Sequence, residues 1–331
     1  MPRISNRTVP ILLLAGAAFI ACLPTRALAR DVVERVDLDV TTGYRVDQFD
    51  WNIAGDIDGN NPDVLSELKW EDLEIYQVSA RGKLVMANKR FPLGGLIKVG
   101  VSYGDISSGD NQDSDYNGDG RTREFSRSNN RADNGNVWDA SLGGGVIFFN
   151  ETRTLSLSPV AGFSYHEQNL TIYEGYQTLN DPANTPSSMV GGIPPVGPIT
   201  GLDSTYEASW RSGWLGADVC YMPIPFFDLH GTLEFHSGKY EADADWNLRS
   251  DLQHPRSFRH TSSKAVGLVT GIGIRAGSPN FFFTADYQYQ TWQAEDGQDR
   301  TYFSDGTVGV NRLNEVNWES SSINAGVTVR F

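Results

Sequence analysis

The chain has 331 residues, of which 39% are hydrophobic and 21% charged, and its formal net charge is −14. So acidic a balance excludes nucleic-acid partners, which need clustered Lys and Arg to release counterions. Beyond residue 29 no apolar run approaches 18 residues, which excludes a helical membrane protein but not one built of strands, where only alternate residues face lipid.

Residues 1–29 read as a secretory signal. Arg3 and Arg7 precede an apolar run over 9–21, and Ala27-Leu28-Ala29 supplies a small-x-small cleavage site. The run is shorter than the ~20 helical residues that a bilayer requires. A lipoprotein would use Cys22, but Phe19 is a poor residue for that signal and the later cleavage site is good. The mature chain is expected to begin at Arg30, and loss of three arginines takes the charge from −14 to −17. Only Cys220 then remains, so burial and backbone pairing must hold the fold without a disulfide within the chain.

Period-two alternation follows repeatedly. Ten strands are expected over 35–53, 64–82, 95–105, 136–149, 154–173, 204–222, 226–242, 261–276, 280–295 and 315–331. Within the seventh, Phe227, Leu229, Leu233 and Phe235 alternate with Asp228, His230, Thr232, Glu234 and His236; in the last, Ile323, Ala325, Val327, Val329 and Phe331 oppose Asn324, Thr328 and Arg330. Connections after even-numbered strands are short, whereas 106–135, 174–203, 243–260 and 296–314 are long and rich in Gly, Asp, Asn, Ser or Pro. That pattern predicts an all-β fold: one ten-stranded antiparallel transmembrane β-barrel over 30–331, with short periplasmic turns and long outer loops. Trp51, Trp70, Trp138, Tyr165, Tyr206, Trp210, Trp214, Trp292 and Trp318 lie near strand ends and suit interfacial girdles. Gly143-Gly144-Gly145 lies within a strand and predicts close packing or curvature.

Four stretches resemble the omptin family of ten-stranded outer-membrane endopeptidases. Residues 64–70, ending in Leu68-Lys69-Trp70, resemble its V-S-Q-L-D-W segment, and Asp113-Ser114-Asp115-Tyr116 resembles its D-Q-D-W. The run from His236 to Asp245 resembles its Y-S-G-W-V-E with a following Asp-rich segment, and 325–331 its A-G-L-K-Y-T-F end. The resemblance implies a catalytic carboxylate pair at Asp113 and Asp115, a dyad aspartate at Asp243 or Asp245, and an acidic substrate pocket at Asp47. It also implies lipopolysaccharide and basic peptides as partners. Its catalytic His is unmatched, because Asn247 or Leu248 stands there; His254 and His260 lie farther along the same loop. Loss of a general base typically removes ~10²–10⁴-fold of rate, so peptidase activity is expected to be weak or absent.

The residues support rival readings. Asp113, Asp115, Asn117, Asp119 and Glu124, with Gly118, fit D-x-[DN]-x-[DN]-G-x5-E, the spacing that wraps oxygen ligands around calcium; a solvated acidic loop or the carboxylate pair would use the same positions. His230, Glu234 and His236 share one strand face and suit either a metal or a hydrogen-bonded lumen. The function classes are an omptin-like surface endopeptidase, a catalytically silent barrel for adhesion, ligand binding or membrane structure, and, third, a small porin.

Overall fold

The structure, a computed structural model, describes residues 33–88, 90–187 and 192–331. The signal segment, with Cys22 and Arg30, lies outside the described residues. Eleven strands run in chain order: β1 (Val33–Ile53), β2 (Ser66–Ala87), β3 (Leu93–Gly118), β4 (Thr122–Arg131), β5 (Gly135–Phe149), β6 (Leu155–Asn180), β7 (Gly197–Ile224), β8 (Phe227–Asp245), β9 (Phe258–Ser278), β10 (Phe281–Tyr302) and β11 (Val308–Arg330). All neighbours are antiparallel, and β11 pairs with β1, which closes the sheet into a barrel. β4 and β5 are two halves of one stave, since each pairs with β3 on one side and β6 on the other. The barrel therefore has the ten staves expected from sequence. Closure leaves no strand edge, the condition for placing backbone polar groups in hydrocarbon.

Alternation sorts the two faces. On β11, Ile323 is 65% exposed while Asn324 and Thr328 are buried; on β8, Phe235 is exposed while Glu234 and His236 are buried. Apolar side chains thus form an outer belt around a polar lumen. Outer-membrane placement requires this arrangement, because lipid meets only the outward residues.

The strands are longer than expected. β3, β6 and β7 contain 26, 26 and 28 residues, whereas about 9–11 cross a bilayer. Most of 106–135 and 296–314 is strand rather than irregular loop, and strand also extends into both ends of 174–203 and 243–260. The turn-rich composition misleads there because paired neighbours on both sides supply every backbone partner. The inner face still alternates, with Phe125, Leu313 and Val316 fully buried. The barrel wall consequently stands well beyond the membrane and ends, among the described residues, in tips at 54–65, 119–121, 181–187 with 192–196, 246–257 and 303–307.

Most of the expected girdle aromatics turn inward. Trp51, Trp70, Tyr206, Trp210, Trp214, Trp292 and Trp318 are buried, and all but Trp214 join Phe49 in one core inside the upper barrel. Trp292 stacks on Trp318 at 5.8 Å and Trp51 on Tyr206 at 5.9 Å. Such rings bury roughly 150–250 Å² each, enough to close a narrow lumen. Trp138 and Tyr165 do face outward, with centroids 4.7 Å apart. Inside, Gly143 and Gly162 make room for Trp214: a Cβ on either would come within 2.4–2.5 Å of its ring. The glycine run is therefore a close-packing device, as its position in a strand predicts.

Candidate functional site

Asp113 and Asp115 sit at the outer rim, on the upper half of β3. Asp113 is opposite Leu68 on β2 and Ser128 on β4; Asp115 is opposite Ser66 and Ser126. Directly opposed residues share a face, and Leu68 belongs to the inner core, so both carboxylates point inward. Burial and the neighbouring Asp115 push Asp113 well above the usual carboxylate range, against the Arg249 charge. Asp115 is pushed up to about 6, chiefly by burial, although the Ser66 and Ser126 hydroxyls oppose this. Asp113 Oδ1 is enclosed without a hydrogen-bond partner. The pair thus holds fewer than two negative charges near neutral pH.

Asp243 and Asp245 point the other way. On β8 it is Tyr240, Ala242 and Ala244 that enter the inner core, so the intervening aspartates project from the outer face. Asp243 is claimed by two arginines, with Arg259 Nε donating at 2.7 Å and Arg256 Nε lying at 2.8 Å, and these cations hold its carboxyl below the usual range against burial. Asp245 meets His254, with Nδ1 at 2.5 Å from Oδ1. That hydrogen bond is the main cause raising the His254 ring above its ordinary value. The tip over 246–257 therefore folds His254 back onto a sequence-matched aspartate, in place of Asn247 or Leu248. Asn247 instead bonds to the backbone of the neighbouring stave, accepting from Asp203 N at 3.0 Å, and Leu248 is exposed. His260 faces inward and is fully buried; Tyr206 lies 2.8 Å from its Nδ1 and Asp299 3.5 Å from its Nε2.

Arg249 stands between the two groups. Its guanidinium is held by Asp251 at 2.8–2.9 Å and feels the charges of Asp115 and Asp113, while its backbone carbonyl bonds to His254. By strand parity the carboxylates project from the inner face, and Asp245, which bonds His254, projects from the outer one. A single attacking water needs a base within hydrogen-bond reach, and the carboxylate that His254 bonds is Asp245 rather than Asp113 or Asp115.

The calcium spacing is met in sequence but its wrap is not formed. Residues 113–118 are extended strand, Asn117 Nδ2 donates to the Asn184 carbonyl at 2.7 Å, Asp119 accepts from Asp63 N at 3.1 Å, and Glu124 is clamped by Arg127. No three acidic, His or Cys side chains among the described residues gather as a metal site, and this includes His230, Glu234 and His236. Asp47 is 1% exposed, below the aromatic layer. It accepts from Arg45 at 2.6–2.7 Å and from Trp318 Nε1 at 3.0 Å, so it opens on no basic side chain from outside.

Beneath the aromatics lies a charged chamber of about 260 Å³, lined in part by Arg45, Lys98, Asp139, Asp218 and Glu234. Its charges are paired across the lumen: Arg45 with Asp139 at 2.8 Å, and Lys98 with both Asp218 and Glu234 at 2.8 Å.

A family model described as Protochlamydia outer membrane protein matches residues 39–331. The chain belongs to that family. No curated protein matches it. Among solved structures, the outer membrane protease OmpT from Escherichia coli aligns with a TM-score of 0.70 at 13% identity, covering 90% of this chain and 97% of that one. At such identity the likeness establishes the fold alone, so omptin membership remains a resemblance. The translocator domain of the autotransporter NalP from Neisseria meningitidis aligns with a TM-score of 0.32 at 12% identity, covering 97% of this chain and 96% of that chain; similarity this low carries no argument.

As a member of the Protochlamydia outer membrane protein family, the chain is a bacterial outer-membrane β-barrel. The sequence carries a signal for the aromatic layer: Trp318 shares parity with Ser320, Ser322 and Asn324, all inward. The Arg45, Asp47 and Asp139 cluster left no such signal, because Asp139 lies 94 residues from Arg45.

Proposed function

We propose that this family member is an omptin-like barrel that displays a non-proteolytic rim and binds cationic groups there. The observation that carries this reading is facial: Asp113 and Asp115 project inward, while Asp245, which bonds His254, projects outward. Net acidity favours cationic ligands by long-range attraction, and the inward pair adds short-range acceptors. The buried aromatic layer supports a lumen that does not conduct. Lipid is the expected partner of the apolar belt. At its upper edge Arg211 stands directly opposite Lys239, which suits the phosphates of lipopolysaccharide.

The experiment is to refold the mature chain with lipopolysaccharide and offer labelled peptides containing paired basic residues, reading binding by anisotropy and cleavage by mass spectrometry. Binding weakened by Asp113→Asn and Asp115→Asn, without cleavage, is the expected result. The second reading is a peptidase with a rearranged dyad, favoured by the 2.5 Å contact between His254 and Asp245. Cleavage abolished by Asp113→Ala, Asp245→Ala or His254→Ala would establish it and overturn the first.

A further inference from the structure

Inside the lumen, away from the rim, three inward staves place a hydroxyl, an imidazole and a carboxylate in series. Ser164 on β6 is the register partner of Ser212 on β7, and His236 on β8 is the partner of Trp214, the next inward residue of β7. His236 Nδ1 lies 3.1 Å from Ser164 Oγ and 3.0 Å from Ser212 Oγ, and its Nε2 lies 3.3 Å from Glu234 Oε2. The other Glu234 oxygen accepts from Lys98 Nζ at 2.8 Å. With the ring proton on Nε2 directed to Glu234, Nδ1 is left as an acceptor for a serine proton. Trp292 covers the imidazole at 4.7 Å between ring centroids, which fixes its plane.

Two further observations distinguish this series from lumen filling. Ser164, His236 and Glu234 line the chamber of about 260 Å³, larger than the ~150 Å³ void that admits benzene. Trp214 Nε1, on a ring only 2% exposed and 6.1 Å from the His236 ring, is a buried donor with no partner. A nucleophile, a base oriented by an acid and an adjacent space are parts that acyl transfer requires.

We propose that Ser164, His236 and Glu234 form a nucleophilic site that opens on the luminal chamber and reacts with small uncharged acyl esters. Ser164 Oγ bonds to the acyl carbon as its proton passes to His236 Nδ1. The carbon–oxygen bond to the leaving alcohol then breaks, and His236 returns its proton to that oxygen. Water repeats the sequence on the acyl-serine and restores the free hydroxyl. Ser212, which is 2.8 Å from Ser164 and does not line the chamber, acts as a positioning residue that holds the Ser164 hydroxyl toward the ring.

The test uses the full mature barrel refolded in detergent, with diisopropyl fluorophosphate and p-nitrophenyl acetate as probes. The expected result is one phosphoryl adduct mapped to Ser164 by peptide mass spectrometry, and a labelling rate reduced ~10²-fold or more in His236→Gln. Ser212→Ala keeps the adduct on Ser164 at a lower rate. Should His236→Gln fail to fold, the mapped site in the parent and the loss of labelling in folded Ser164→Ala decide the question. No adduct on the parent, an adduct elsewhere, or a rate unchanged in folded His236→Gln would overturn the proposal.

Discussion

Replacing Gly267 with alanine puts a methyl group where the Trp292 indole already sits. A Cβ built on Gly267 would lie 2.6 Å from two atoms of that ring and 2.9 Å from a third, against ordinary contacts of about 3.5–4.0 Å between carbons. The ring has nowhere to retreat: Trp318 stacks on it at 5.8 Å, while His236 and His166 pack at 4.7 and 4.8 Å. Overpacking of this kind costs about 1–3 kcal/mol, a shift of roughly 5- to 150-fold in the folding equilibrium. Gly100 provides the control, since a Cβ there would meet only Arg81 Cγ at an ordinary 3.7 Å. Gly100→Ala is expected to be neutral, or stabilising by up to ~1 kcal/mol through reduced freedom of the unfolded chain. The assay is reversible urea unfolding in detergent, followed by tryptophan fluorescence and by heat-modifiable gel migration. Equal midpoints for the two variants would refute the claim that the aromatic layer is rigidly packed against β9.

Two further outcomes follow from buried charge. Arg45 is 2% exposed and holds both Asp47 and Asp139, so Arg45→Ala strands two carboxylates and should cost about 3–5 kcal/mol; a loss under ~1 kcal/mol in the same urea assay counts against that pairing. At the rim, Asp113 and Asp115 are both raised when folded, so the native hairpin retains protons that the unfolded chain releases. Their contribution is most favourable below the ordinary carboxylate value of about 4 and is lost as pH rises through the folded value of Asp115, about 6. Hydrogen exchange over 110–131, corrected for intrinsic rate, should show greater protection at pH 5 than at pH 7.5. Asp115→Asn should remove much of that difference; greater protection at pH 7.5 in the parent would contradict it.

The chain sequence by itself determined the barrel. Alternation such as Ile323, Ala325 and Val327 against Asn324 and Thr328 marks one face for lipid and one for the lumen, and a period of two has no other economical use at that length. It also determined the polar character of the lumen, because the residues between the lipid-facing positions, such as Asp228, Glu234 and Asn324, are polar. Three things were decided only by tertiary structure. Polar segments such as 106–135 became paired strand, since hydrogen bonds from neighbouring staves outweigh local turn preference. The aromatics became a plug rather than a girdle, because inside and outside are defined only when the sheet closes. His254 reached Asp245, but on the outer face, while Asp113 and Asp115 turned inward; parity is written in each strand, but which faces confront one another depends on how ten staves meet around a ring.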